Sequence, residues 1–296
     1  MSEATSSIAE VEFSEQAVAA GKPRRQMASL ELMLGGLLTL SMVAAVLLSG
    51  WLFPDGGETM NLAARLTRPF QSMAHVFGTD PLGRDVLARV VVGGKISLTV
   101  GFLSVAGGAL LGTVMGVVAG YWGGVWDVIV MRFADVQLAL PFILVAMTFI
   151  SILGGGLTNI VLFMIVSQWV QYARLVRAQV LALREREFVQ AARSFGVRDL
   201  AMIRHHILPN LLGPLVILMM LNVANNILLE SSLTFLGLGV DPTIPSWGGM
   251  LADGRTYLQT AWWVSVFPGL AIMLTVLGLN LLGDWLRDRL DPTSKE

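Results

Sequence analysis

The chain has 296 residues, of which 54% are hydrophobic and 14% charged, with a net charge of -1 and a mean hydropathy of +0.68. Soluble domains carry roughly 25% charged residues. So few charges cannot cover a water-facing surface of this length, and lipid must cover part of it. There is no cysteine, which excludes disulfides, thiol nucleophiles and cysteine metal sites, and only three histidines, which do not favour a histidine metal site.

Residues 1–29 are polar and end in Lys22, Pro23, Arg24 and Arg25. They read as a flexible tail with a basic flank. The Arg24-Arg25 pair also suits a twin-arginine signal, but the apolar run behind it is too long for a signal core. That run, 32–53, is the first expected span, since its residues reach about 33 Å as a helix against a hydrocarbon core of about 30 Å. A mixed loop, 54–95, follows. Within it GTDPLGRDV (Gly78 to Val86) predicts a helix start, with Thr79 or Asp80 as cap and Pro81 in the first helical position. A short interfacial helix leading into the second span, 96–120, is expected there. In that span Gly108, Gly112, Gly116 and Gly120 recur every four residues, a stripe that lets a neighbouring backbone approach closely.

The third span is expected at 134–153, kinked at Pro141, and the fourth at 157–172. A polar island, Arg184 to Asn210, comes next, with five arginines and two of the three histidines. The fifth span, 211–229, carries Asn222, Asn225 and Asn226 and leads to Glu230. A loop rich in Gly, Pro and Trp, 236–262, leads to the sixth span, 263–282. An amphipathic segment, Gly283 to Pro292, closes the chain.

No enzyme motif survives inspection. The nearest approach to a phosphate-binding loop is Val90 to Ser97, but Arg89 stands where the first Gly belongs and Ile96 follows Lys95. Neither a zinc-protease nor a nucleophile-elbow pattern is present. Ionisable groups are nearly absent from the spans, which argues against a proton-driven secondary carrier. Glu230 reads as an interfacial carboxylate reaching water, or as a gate. The three asparagines read as interhelical hydrogen-bonding groups, or as the lining of a polar path.

The island has an internal plan. Phe188, Ala191 or Ala192, and Phe195 form one apolar face, Gly196 permits a sharp turn, and Leu200, Ile203 and Ile207 form a second face. Pro209 is expected to break the second helix before span five. The product is a helical hairpin on the membrane surface or a knob presented to a partner.

Here a resemblance enters. QAARSFG followed by HILPN (Gln190 to Gly196, His206 to Asn210) resembles the EAA loop of ATP-binding-cassette importer permeases. Gln190 stands in place of the usual Glu and His206 in place of the usual Ile. GTDPLGRDV, LTFLGLGVDPTIPSWGGML (Leu233 to Leu251) and GDWLRDRLDP resemble the C-type subunit of dipeptide and oligopeptide permeases, from about residue 30 to the end. The resemblance implies an all-α polytopic membrane protein with six transmembrane helices, the type I importer fold. Its parts would be a cytoplasmic tail at 1–29, a first helix with a periplasmic loop at 30–95, a permease core at 96–286 holding the coupling loop 184–210, and a cytoplasmic tail at 287–296.

The resemblance further implies a non-catalytic subunit that pairs with a second homologous permease subunit, two ATPase subunits and a periplasmic substrate-binding protein. ATP and Mg would be used by the ATPase subunits, with no cofactor on this chain and no nucleic acid. ATPase coupling falls to Gln190, Ala191, Ala192, Arg193, Gly196, His206, Leu208 and Pro209. Asn222, Asn225, Asn226 and Glu230 are pathway or gate candidates, and Asp241, Pro245, Trp247 and Gly248 are candidates for contact with the binding protein. The basic residues agree on orientation. The side holding both termini and the island carries 14 of the 20 lysines and arginines, so it should be cytoplasmic in a bacterial inner membrane. Nickel, glutathione and opine-like solutes stay open as alternatives to a peptide cargo, as does a secondary carrier.

Overall fold

A computed structural model describes residues 30–290, so the expected tail at 1–29 and residues 291–296 of the expected tail at 287–296 lie outside the described residues. Helices make up almost the whole of it: α1 (Leu30–Leu47), α2 (Ser49–Leu52), α3 (Val86–Trp122), α4 (Gly124–Ala139), α5 (Phe142–Leu153), α6 (Leu157–Arg184), α7 (Glu187–Ser194), α8 (Asp199–Met202), α9 (Leu208–Phe235), α10 (Trp247–Gly254) and α11 (Trp263–Leu290). There is no strand among the described residues. Five stretches are long and apolar enough to cross a membrane: α1, α3, α6, the run from α8 through α9, and α11. The α4–α5 pair makes a sixth if its two arms count as one span.

That pair corrects the third expected span. Pro141 does not kink one helix but separates two, which meet at 94°. Leu140 is held extended before the proline, as the proline ring requires of its neighbour, so the helix stops rather than bends. The fourth span also runs further than expected, to Arg184, and the sixth absorbs the amphipathic segment as far as Leu290. The 236–262 loop contains α10, whose cap Ser246 accepts a hydrogen bond from the Gly249 N–H at 3.1 Å.

Helix α3 occupies the centre, packed on α6, α9 and α11. Its 37 residues span about 55 Å, well beyond a bilayer core. The glycine stripe lies where α3 meets α6. A methyl group on Gly116 would sit 2.6 Å from the Ala173 carbonyl oxygen and 2.7 Å from Val176, and one on Gly120 would sit 2.9 Å from Val180. Without side chains the two backbones touch, and dispersion contacts replace the hydrophobic effect that lipid cannot supply. The peripheral α1 uses the same device, with Gly35 against Leu281 and Gly278 against Leu38 and Thr39 of α1.

Residues 54–85 form a cap over one end of the bundle, and here the expected helix start is corrected. Asp85, not Thr79 or Asp80, caps α3, accepting from the Ala88 N–H at 2.8 Å. Asp80 instead lies at the centre of a turn. Its carboxylate accepts from the backbone of Leu82 (2.8 Å) and Arg84 (2.9 Å), from Arg84 Nε (2.6 Å) and from Arg89 Nη1 (2.6 Å). With four donors engaged, it is unavailable as a helix cap. The separate interfacial helix is absent, because Val86 to Trp122 is one uninterrupted helix. The cap is tied to the bundle by Trp263 Nε1, which donates to the Thr79 carbonyl at 3.0 Å, and by Phe77 stacked on Phe267 at 4.0 Å.

Two stability predictions follow from these contacts. Gly116→Leu should cost about 1–3 kcal/mol or more by overpacking the α3–α6 seam, whereas Gly213→Ala, which meets open space, should be neutral. Thermal unfolding in detergent followed by fluorescence size-exclusion compares the two, and equal melting temperatures would contradict the seam. In the same assay Asp80→Ala should lower stability by about 3–5 kcal/mol, because Arg89 loses its anion while buried.

Candidate functional site

The island forms a knob at the end of the bundle opposite the cap. Helix α6 stops at Arg184, α7 turns away, and Gly196 takes a left-handed φ of +79°. The Val197 N–H reaches the Ala192 carbonyl at 3.2 Å and the Gly196 N–H reaches the Arg193 carbonyl at 3.0 Å. This paired closure is a Schellman end, and the residue at Gly196 pays for a Cβ there with about 1–2 kcal/mol of strain. Asp199 opens α8 and accepts a hydrogen bond from the Tyr121 hydroxyl at 2.7 Å, bracing the knob against the far end of α3.

Two expectations about the knob are corrected. Of the two expected apolar faces, Ile203 and Ile207 are buried, whereas Phe188, Phe195 and Leu200 are exposed, Phe195 at 88% and Leu200 at 77%. Val189 and Met202 are buried in the same cluster as Ile203 and Ile207, with Ala192 half-buried against it, so α7 turns Val189 inward and leaves Phe188, one position earlier, outward. Pro209 does not stop the second helix. Residues 203–207 form a π-turn in which the Leu208 N–H bonds the Ile203 carbonyl, and the chain continues into α9 with Pro209 in its first turn. The wider π-turn accommodates a proline whose ring would otherwise meet the carbonyl four residues back.

Gln190, Ala191, Arg193, Gly196 and Pro209 are exposed on the knob, and Ala192, His206 and Leu208 are half-buried. Gln190 Nε2 donates to the Glu185 carbonyl at 3.3 Å. Tyr121, Arg184, Glu185, Val189, Gln190, Arg193 and Met202 line a cavity of about 280 Å³ at its base. The crest therefore presents exposed aromatic and aliphatic groups ringed by arginines, a composition suited to docking a partner. His206 Nδ1 is buried without a hydrogen-bond partner among the described residues, and Asn210 Nδ2 donates to the His206 carbonyl at 2.6 Å.

The polar residues of α9 fall into two layers. Asn222 Nδ2 donates to Tyr172 Oη at 2.9 Å and approaches Gln171 Oε1 at 3.4 Å, while Asn226 accepts from Gln168, so both asparagines join α9 to α6. Asn225 faces outward and takes no part in this layer. Near the cap end, Glu230 is fully buried, not at a water interface as expected. Ser97 donates to it from α3 at 2.9 Å, Thr234 at 2.9 Å and Ser231 at 3.3 Å. Three hydroxyl donors compensate part of the desolvation of a carboxyl group that the sequence placed in solvent.

The proposed contacts with a binding protein are mostly internal. Trp247 is wholly buried and its Nε1 donates to the Val90 carbonyl at 2.8 Å. Gly248 lies against the Ser231 backbone and Pro245 is buried too, leaving only Asp241 exposed. These three residues position α10 rather than meet a partner. Sequence reading missed the Asp80–Arg89 pair, the Tyr121–Asp199 brace and Gln168. The i, i+4 spacing of Asp80 and Arg84 is the one local signal for the first; the others join residues 78 and 58 positions apart and have none.

Comparison with known proteins identifies the family. Residues 112–296 match the model of the binding-protein-dependent transport system inner membrane component, a stretch that contains the knob, the asparagine layer, Glu230 and α10. The dipeptide transport system permease protein of Alkalihalophilus pseudofirmus is 40% identical over 272 residues, covering 92% of this chain and 89% of the relative. The glutathione transport system permease proteins of Pectobacterium atrosepticum and Escherichia coli are each 40% identical over 260 and 263 residues, covering 88% and 89% of this chain and 86% of each relative. With its apolar helices and no strand among the described residues, the chain is a multi-pass inner-membrane protein with the transmembrane fold of a type I ATP-binding-cassette importer, and it belongs to the family of binding-protein-dependent transport system inner membrane components.

Proposed function

We propose that this chain forms half of the translocation pathway for di- and oligopeptides and couples it to ATP hydrolysis in partner subunits. The assembly would hold a second, homologous permease subunit, two ATPase subunits and a periplasmic binding protein that delivers cargo. This chain performs no catalysis; ATP and Mg act in the ATPase subunits. Both termini and the knob face the cytoplasm, in line with the concentration of lysine and arginine on that side. The relative named for dipeptide transport supports the peptide cargo. Glutathione, itself a small peptide, is the second reading, supported by the relatives named for its transport.

One observation carries the coupling role: the exposed crest of the knob is mechanically continuous with a span. Asp199 to Phe235 counts as a single run through the π-turn, and Tyr121 ties its start to α3. A push on Phe195 or Arg193 would therefore reach both α3 and α9 as a rigid displacement rather than dissipate in a loop. Gln190, Ala191, Ala192, Arg193 and Gly196 form the docking element, while His206, Leu208 and Pro209 belong to the hinge-free passage into α9. Asn222, Asn226 and Glu230 hold the moving spans in register, and Asn225 is the polar group of that set left facing outward for a second subunit or the path.

Gly196→Val should reduce labelled-dipeptide uptake and cargo-stimulated ATP hydrolysis at least tenfold while the chain remains in the membrane at its normal level, since a β-branched residue cannot hold φ +79° without strain. Phe195→Asp should do the same by charging the crest. Uptake and stimulated hydrolysis at wild-type rates in both variants would exclude the knob as the coupling element.

A further inference from the structure

At the cap end, a cavity of about 450 Å³ opens between the turn at Gly155-Gly156, the loop around Gly239 and α10. Its size falls within the roughly 300–1,000 Å³ usual for small-molecule sites. The knob is at the other end of the same helices, so if the knob faces the cytoplasm this cavity faces the outside.

Three charged side chains line it: Arg89, Asp253 and Asp241, the last held on its own loop by the Thr243 N–H at 2.9 Å and the Thr243 hydroxyl at 2.7 Å. Arg89 is 3% exposed and uses Nη1 on Asp80, but its Nη2 lies 3.9 Å from Asp253 Oδ2, beyond hydrogen-bond range. The Asp253 side chain is 45% exposed, and no hydrogen bond from a protein group reaches its carboxylate among the described residues. Burial pushes the Asp253 carboxyl above its ordinary value, and the Arg89 guanidinium partly offsets that. Cation and anion thus each keep unused hydrogen-bonding capacity beside a cavity. The walls add backbone at Gly156, Gly237 and Gly239, where the Gly156 N–H is bound to the Gly239 carbonyl at 3.3 Å and the Gly237 N–H to the Thr234 carbonyl at 3.0 Å.

The charge pattern selects the ligand. A simple anion would meet Arg89 but face Asp241 and Asp253, and a simple cation would face Arg89. A solute carrying both an ammonium and a carboxylate satisfies both groups and brings no net charge into a poorly solvated place. We propose that this cavity is an entry site for the cargo, taking a zwitterionic short peptide with its carboxylate on Arg89 and its ammonium on Asp253. The proposal rests on the peptide-importer reading above. It adds a specificity element to the permease itself: free termini are checked after delivery.

The test uses the transporter complex co-purified on the full chain, in lipid nanodiscs without ATP or delivery protein. Saturation-transfer NMR is recorded with Ala-Ala, its C-terminal amide and its N-acetyl form. Ala-Ala should give a signal that drops at least fivefold for each blocked form. It should drop equally in Ala252→Phe, which fills the cavity, and in Asp253→Asn, which keeps its shape should the larger change prevent assembly. No wild-type signal, an unchanged signal in the variants, or equal saturation by blocked forms overturns the entry site. Uptake of labelled Ala-Ala by cells carrying the wild-type transporter is measured in parallel. Uptake without a cavity-dependent signal defeats the entry site alone, whereas absence of uptake defeats the peptide reading and the entry site with it.

Discussion

Backbone contact between α3 and α6 is the constraint on which the rest of the structure depends. In lipid there is no hydrophobic gain from bringing two apolar helices together, so their association must come from close packing and from polar groups that find partners. Gly112, Gly116 and Gly120 supply the packing, and a Cβ at any of them would meet a carbonyl oxygen or side-chain carbon of α6. Once that seam is fixed, α9 is positioned against both helices, tied to α6 by Asn222 and Asn226 and to α3 through Glu230 and Ser97. The seam therefore sets the distance between the two elements from which the knob hangs, the end of α6 and the start of α9.

The two ends of the bundle are built on different principles. The cap end is held by charge and indole hydrogen bonds: Asp80 binds two arginines, and Trp247 and Trp263 each donate to a backbone carbonyl. Its interior carries paired charges beside a cavity. The knob end turns its aromatic residues outward and is braced by Tyr121 to Asp199 and, beside it, by the Arg177–Asp127 ion pair between α6 and α4. A rigid capped end with a polar recess and a protruding apolar crest at the other end suit a protein that receives a small solute on one side and a mechanical input on the other.

How much of this was legible in the sequence depended on the range of the determining interaction. The glycine stripe, the turn at Gly196, the order of spans and the position of the knob all follow from local period or backbone preference, and the structure has them. Local rules failed where a distant group decided the outcome. Asp80 looked like a helix cap until Arg89 claimed its carboxylate. Glu230 looked solvated because the sequence does not reveal that Ser97, more than a hundred residues away, covers it. Phe188 and Phe195 share the apolar face that their spacing predicts, but periodicity alone does not say which side that face takes, and both are exposed. Trp247 is the converse case, a conspicuous loop tryptophan that proves to be core.

The central claim is that the crest of the knob meets the ATPase subunits and moves with their cycle. The chain contains no cysteine, so Phe195→Cys introduces a unique thiol at the most exposed point of the crest. A short thiol crosslinker added to the assembled transporter should join this position to an ATPase subunit, with a yield that changes between nucleotide-free and ATP-bound states. Capture of only lipid or solvent-borne reagent at that position, or labelling by a membrane-impermeant thiol reagent from outside intact cells, would contradict the account.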